Sequence, residues 1–279
     1  MKAEKHGKAW QDFFLPRLST NEVAALEKEK GAVVLPIAAI EQHGPHLPTY
    51  TDTLIAEGLL EATFELLNRE DNIWLLPPLP YGKSTEHFGH PGTFTLSETT
   101  LQHVILDLAE SVKASGFTRF VLFNTHGGNL DLINMIAREV RIQTGLMVFK
   151  MSGMDYKGVL NGLYTDKELT YGIHGGDVET SIILALQEGW VHMDVAQSQM
   201  YQPYQDGEIV IDIKGSPSVA WIADDVSDCG TSGDATLATR DKGIETIARL
   251  SEPLAKTLQK ISTFEMDVLK NSSIVSEVK

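Results

Sequence analysis

Apolar residues fall along this chain in two alternating styles: short unbroken runs, and longer stretches at helical spacing. Residues 32–40 (AVVLPIAAI) are almost uninterrupted, as expected of a strand buried on both faces. Residues 73–77 (IWLLP), 119–124 (RFVLFN) and 146–151 are further strand candidates of the same kind. Between them, residues 52–68 place Leu54, Ile55, Leu59, Leu60, Ala62 and Leu66 on one helical face. Ser97 reads as the N-cap of a helix that continues over 100–114 and stops at Gly116. Residues 130–144, 180–188 and 241–264 read as helices as well. Strands alternating with helices at this spacing predict an α/β fold with a mainly parallel sheet. Right-handed crossovers then place helices on both faces of it. No repeat or linker divides the chain, so one domain over 1–279 is expected. Residues 201–233 are richer in Gly, Pro, Ser and Asp and predict an irregular excursion or a small hairpin, with 208–213 (EIVIDI) alternating like a strand. The tail, 266–279, reads as a short helix that frays.

Composition narrows the partners. The 279 residues are 42% hydrophobic, enough for a large core and too many for a disordered chain. Lys plus Arg is 23 against 38 Asp plus Glu, a net charge of -15. Such a balance argues against general nucleic-acid binding and against docking on an anionic membrane. Cys229 is the single cysteine, so no intrachain disulfide forms. The first 15 residues lack the apolar core of a signal peptide, and no run reaches the length of a membrane helix. A cytoplasmic protein is expected.

The polar residues are placed where a parallel sheet binds ligands, in loops at the carboxyl ends of strands. Glu41-Gln42-His43-Gly44-Pro45-His46 follows the first strand and Asp52 opens the next helix. Tyr81 to His87 follows the second strand, and Asn124-Thr125-His126-Gly127-Gly128-Asn129 the third. His174-Gly175-Gly176-Asp177-Val178-Glu179 precedes another helix. Glu41 and His43, two residues apart on leaving a strand, point to one face. A carboxylate beside an imidazole suits Zn²⁺, Mn²⁺ or Fe²⁺, and Asp52 is placed to bridge two ions. Taken singly, each has a plainer reading: solvated loop residues, or a carboxylate favoured by a helix N-terminus. His126 followed by two glycines lets backbone approach a ligand closely, and equally makes a tight strand-to-helix turn. His174 titrates near neutrality and is a candidate for proton transfer. Four such loops meeting at one sheet edge point to a dinuclear hydrolase centre, whose ions polarise a carbonyl and acidify water. A dinucleotide-dependent oxidoreductase shares the fold class, but Gly-x-Gly-x-x-Gly is absent.

These motifs together resemble the creatininase (creatinine amidohydrolase) family. The resemblance is carried by Glu41-x-His43-Gly44-x-His46-Leu47-Pro48 with Asp52, by Ser84-x-x-His87-x-x-His90-Pro91-Gly92-Thr93, by Asn124-x-His126-Gly127-Gly128-Asn129, and by His174-Gly175-Gly176-x-x-Glu179-Thr180-Ser181. Gly233 to Thr239, with Lys242-Gly243, is also similar. The resemblance implies a three-layer α/β/α sandwich, a homohexamer, and hydrolysis of C–N bonds of small cyclic amides, ureides or formamides with two divalent ions per chain, Zn²⁺ first and Mn²⁺ or Fe²⁺ as alternatives. By position, Glu41 and His126 would hold one ion and His43 the other, with Asp52 bridging. His174 would transfer the proton, and Ser84 and the Gly127 backbone would lie against substrate.

Two departures mark this chain. Creatininase itself carries a metal-binding carboxylate at the position of Gly128, for which Glu179 is the candidate replacement. The family's Trp-Asp pair and Glu that grip creatinine correspond to Thr170, Tyr171 and Ile173, which argues against creatinine as the substrate. Trp221 reads as an aromatic wall or as an ordinary core residue. Besides amide hydrolysis, the family implies peptide trimming or hydrolytic cleavage of a cyclic ketone. A non-catalytic ligand-binding protein on the same scaffold would be expected to lack part of the ligand set, which is complete here.

Overall fold

The computed structural model describes residues 7–155 and 158–270. Four strands, β1 (Ala32–Ile37), β2 (Ile73–Leu75), β3 (Arg119–Asn124) and β4 (Met147–Ser152), form a parallel sheet in the order β2-β1-β3-β4. The helices are α1 (Thr20–Ala25), α2 (Thr51–Glu65), α3 (Glu98–Ala114), α4 (Leu130–Thr144), α5 (Asp166–Tyr171), α6 (Asp177–Gln187), α7 (Ala223–Val226) and α8 (Arg240–Thr263). As its sequence predicts, Ser97 caps α3, its side chain accepting from the backbone N–H of Thr100.

Alternation along the central strands sorts the core into two halves. Ala32, Val34, Val121 and Phe123 face α2, α6 and α8, where they meet Leu59, Ile182 and Leu254. Val33, Leu35, Ile37, Phe120 and Leu122 face α3 and α4, against Ile105 and Ile136. The period of two in a strand puts successive side chains on opposite faces. Because both faces are covered, β1 and β3 carry apolar residues at nearly every position. This is the three-layer α/β/α arrangement. Among the described residues no helix is long and apolar enough to cross a membrane.

A proline sits in the second strand of the sheet, where ladder hydrogen bonds are normally needed on both sides. Pro36 pairs in register with Phe123 of β3. Its carbonyl accepts from Leu79 N, so its missing N–H lies on the β2 side. There the ladder has already ended at Val34↔Leu75, and Pro77 and Pro78 follow. The apolar run 32–40 therefore outlasts its strand. Ala38, Ala39 and Ile40 leave the ladder and carry the chain to the sheet's carboxyl edge.

Residues 201–233 are irregular, as composition predicts. β5 (Ser198–Gln199) pairs antiparallel with β8 (Gly233–Asp234), closing the base of the excursion. Within it β6 (Tyr204–Asp206) and β7 (Ile209–Ile211) form a hairpin, of which β7 lies in the alternating stretch 208–213 and β6 precedes it. The expected tail helix is a 3₁₀ turn over Met266–Lys270. The remainder of the tail, 271–279, lies outside the described residues.

Candidate metal centre

The loop after β1 is tied back by a bond from Glu41 N to Thr49 O (3.0 Å), which sets Glu41 and His43 opposite the first turn of α2. Asp52 is the second residue of that helix. His126 follows β3 by two residues, and Glu179 lies in the first turn of α6. Glu41, His43, Asp52 and His126 are all buried.

Their distances are those of one cluster. His43 Nε2 lies 3.2 Å from Asp52 Oδ1, 3.9 Å from Glu41 Oε1 and 3.9 Å from Glu179 Oε2. His126 Nδ1 lies 3.2 Å from Asp52 Oδ2 and 3.3 Å from Glu41 Oε1. His174 Nδ1 is 3.6 Å from the same Glu41 oxygen and His87 Nε2 is 3.7 Å from it. Residues from four separated loops thus face one carboxylate. The rings of His43, His174 and His87 stack in that order, with centroids 4.1 and 4.4 Å apart.

Each imidazole is held from behind, which fixes the nitrogen it offers. His43 Nδ1–H donates to Glu41 O (3.1 Å), leaving Nε2 forward. His126 Nε2–H donates to Lys83 O (3.0 Å), leaving Nδ1 forward. His174 Nε2–H donates to Gln42 O (2.6 Å), again leaving Nδ1 forward. The Gln42 side-chain amide donates to His87 Nδ1 (2.8 Å), so His87 presents Nε2–H.

Burial and charge pull these groups in opposite directions. Burial disfavours the charged form of His43, yet the Asp52, Glu179 and Glu41 carboxylates overcome it and hold the ring up to about 10. His126 is likewise raised well above the ordinary imidazole range, against burial, by Glu41, Asp52 and Glu86. Asp52 is lowered, its desolvation outweighed by His43 and His126. Burial and the charge on His43 push His174 down to about 3, so its forward nitrogen carries a lone pair at neutral pH. Glu179 is raised to about 7, first by burial and then, against the pull of His43, by Asp52 and Glu41.

The donor set fits divalent cations by an observation internal to the cluster. Glu41 Oε2, His43 Nε2 and Asp52 Oδ2 are buried, and none makes a hydrogen bond. Buried polar atoms without a hydrogen bond are costly, and a cation bound among these residues would satisfy them. Glu41, His43 and Asp52 offer ligand atoms within 4.8 Å of one another, as do His43, His174 and Glu179. All donors are oxygen or nitrogen, which suits Zn²⁺, Mn²⁺ or Fe²⁺.

The structure therefore brings together Glu41, His43, Asp52, His126, His174 and Glu179. Ser84 is fully buried, with Oγ 3.2 Å from His126 Nε2. Gly127 is exposed, and a Cβ there would meet nothing within 4 Å. Sequence reasoning assigned no role to Gln42, Glu86 or His87. His87 was visible as part of the Ser84-x-x-His87 motif, but a 3₁₀ turn over Thr85–His87 decides where it points. Gln42 gave no signal, since an amide between two candidate ligands reads as filler.

The excursion borders this centre. His174 N donates to Ser232 O (3.1 Å) and Ser232 N to His174 O (2.7 Å), so the strand end before β8 clamps the His174 backbone. Gln42 Nε2 donates to Gly230 O (3.2 Å), and His90 Nε2 lies 3.1 Å from Asp224 Oδ1 of α7. A cavity of about 680 Å³ opens within the excursion, lined by Tyr201, Tyr204, Asp212 and Trp221 among others. None of the six clustered residues lines it, so it is a neighbour of the centre and not the centre itself.

The family model Creatininase, described as creatinine amidohydrolase, matches residues 16–258. The chain is 28% identical over 241 residues to the mycofactocin precursor peptide peptidase of Mycobacterium ulcerans (strain Agy99), covering 85% of this chain and 88% of the relative. It is 29% identical over 230 residues to the creatinine amidohydrolase of Pseudomonas putida, covering 76% and 82%. A solved structure named Creatininase Mn superposes with a TM-score of 0.67 at 25% identity, covering 88% of this chain and 97% of that one.

Proposed function

The chain belongs to the creatininase family of hydrolases, and from its cluster we propose that it is a metal-dependent amidohydrolase cleaving a C–N bond of a small cyclic amide, ureide or formamide. The observation that carries this reading is the convergence of Glu41, His43, Asp52, His126 and Glu179 on one buried spot with unpaired ligand atoms. Glu41, Asp52 and His126 would hold one cation, and His43, Asp52 and Glu179 the other. When bound, the pair supplies polarisation of the scissile carbonyl and a lowered pKa for water. His174 takes the water's proton at Nδ1 and passes it to the departing nitrogen, while the Gln42 carbonyl keeps its Nε2–H in place. The Gly127 backbone, with open space beside it, is the proposed substrate contact, whereas Ser84 is fully buried with its Oγ on the rear Nε2 of His126 and supports that ring. Exposed apolar residues on the hairpin, among them Tyr204 and Ile209, support assembly into an oligomer.

A second reading, trimming of a peptide amide, has support in the alignment with the mycofactocin precursor peptide peptidase, which spans 85% of this chain. The two readings share bond type and residues and differ in the group beyond the amide. Protein loaded with Zn²⁺, Mn²⁺ or Fe²⁺ should be assayed against lactams, ureides, formamides and short peptides, reading released amine or ammonia. Release from one of the first three classes is expected. Release from peptides alone would select the second reading. No turnover together with near-zero metal per chain would overturn both.

Loading itself should be pH-dependent. In the metal-free protein, carboxylates keep protons on His43 and His126 at neutral pH. A cation that takes those lone pairs displaces the protons. Raising the pH towards 10, where His43 titrates, removes the competitor, so apparent affinity rises with pH. Calorimetry in buffers of differing ionisation enthalpy is expected to show about two to three protons released per chain at pH 7, one from each imidazole and a fraction from Glu179. Release of none would contradict the charge state assigned to the two imidazoles.

A further inference from the structure

Residue 128 is a glycine for a steric reason. A Cβ built there would stand 1.9 Å from Glu86 Oε1, 2.5 Å from His126 Nε2 and 2.8 Å from Lys83 O. The space a side chain at 128 would enter is therefore already filled by the carboxylate of Glu86. That carboxylate lies against the back of His126, with Glu86 Oε1 3.5 Å from His126 Nε2. Glu41 and Asp52 stand at the opposite nitrogen, Nδ1, at 3.3 and 3.2 Å. Glu86 is in turn held by Lys83, whose Nζ lies 3.1 Å from Oε2. Lys83 is fixed from the β3 side, because its backbone N–H donates to Asn129 Oδ1 (2.9 Å).

We infer that Glu86 is a positioning residue for His126, a rear carboxylate 3.5 Å from Nε2 that adds to the hold of the Lys83 carbonyl (3.0 Å) in keeping Nδ1 forward, and that Gly128 is the vacancy this arrangement requires. The inference rests on the reading of His126 as a metal ligand. A carboxylate behind a ligating imidazole orients the ring and raises its basicity, and losing one typically costs about 10–100-fold in metal affinity. Glu86 also offers a carboxylate oxygen within 4.8 Å of ligand atoms of Glu41 and His126, so the zinc count at saturation decides between a rear carboxylate and a further ligand.

The test is Zn²⁺ affinity by competition with a chromogenic chelator, together with zinc per chain at saturation and the thermal midpoint of the metal-free protein. Glu86→Ala is expected to weaken affinity about 10–100-fold, with unchanged stoichiometry at saturation and an unchanged metal-free midpoint. Glu86→Gln retains an acceptor and is expected to recover most of the loss, which a general folding defect would not do. Gly128→Ala changes no donor but displaces Glu86 or His126, and is expected to weaken affinity as well. Wild-type affinity in either Glu86→Ala or Gly128→Ala would overturn the inference. So would outright loss of one zinc from Glu86→Ala at saturation, which would make Glu86 a ligand. His126→Ala separates the layers: full zinc occupancy in that variant sinks the ligand assignment beneath, whereas its loss alongside an indifferent Glu86→Ala sinks only the positioning role.

Discussion

Asp52→Ala is expected to leave the protein without either divalent ion and to lower turnover by at least about 10³-fold, which is roughly 4 kcal/mol of barrier. The expectation comes from how the carboxylate is shared. Oδ1 stands 3.2 Å from His43 Nε2 and Oδ2 stands 3.2 Å from His126 Nδ1, so one residue faces both candidate metal positions. No other carboxylate in the cluster comes as close to His43, since Glu41 and Glu179 each stand 3.9 Å from its Nε2. Removal also leaves two buried imidazoles short of the charge that balances them, which lowers their proton affinity. Inductively coupled plasma measurement of metal per chain, run beside the assay on whichever substrate the panel yields, checks both halves. Retention of both ions in the variant would show that Asp52 does not bridge.

His174→Ala should behave differently, keeping its ions while losing turnover by about 10²–10⁴-fold, the usual worth of a positioned acid–base group. The ring is sandwiched between His43 and His87, and its rear nitrogen is bonded to a backbone carbonyl. Its forward nitrogen faces a Glu41 oxygen that His43, His87 and His126 also approach. Deleting it therefore removes a proton carrier while Glu41, Asp52 and His126 remain together. Because His174 also lies within ligand distance of His43 and Glu179, the metal count decides between roles. A variant that binds one ion fewer would make His174 a ligand and leave the proton to another group, His87 being nearest to Glu41 on the same side.

How much of this was legible beforehand follows from what periodicity encodes. The four strands and the long helices announce themselves, because burial on both faces demands apolar runs and burial on one demands a stripe. Strand ends were overestimated where an apolar run continued past the ladder, as at Ala38 to Ile40 and at Leu76. Hydrophobicity reports burial, and a buried loop satisfies it as well as a strand does. The short helix α5 is not legible, since six residues with three charges in the first turn give no periodic signal. The cluster was legible at the level of which loops meet, because each candidate followed a strand or opened a helix. Its inner order was not. The stacking of three imidazoles, the amide of Gln42 behind His87 and the carboxylate of Glu86 in the space beside Gly128 all depend on side-chain directions that spacing alone does not carry.

The two-residue ladder between β5 and β8, with the Ser232 clamp beside it, gives the molecule something like an exchangeable cassette. Residues 200–231 begin and finish at one fixed doorway, and they reach back to the loops of the centre through Gly230, on Gln42, and Asp224, on His90. A different segment grafted between the same two staples would have to keep those two holds for the machinery to stay put.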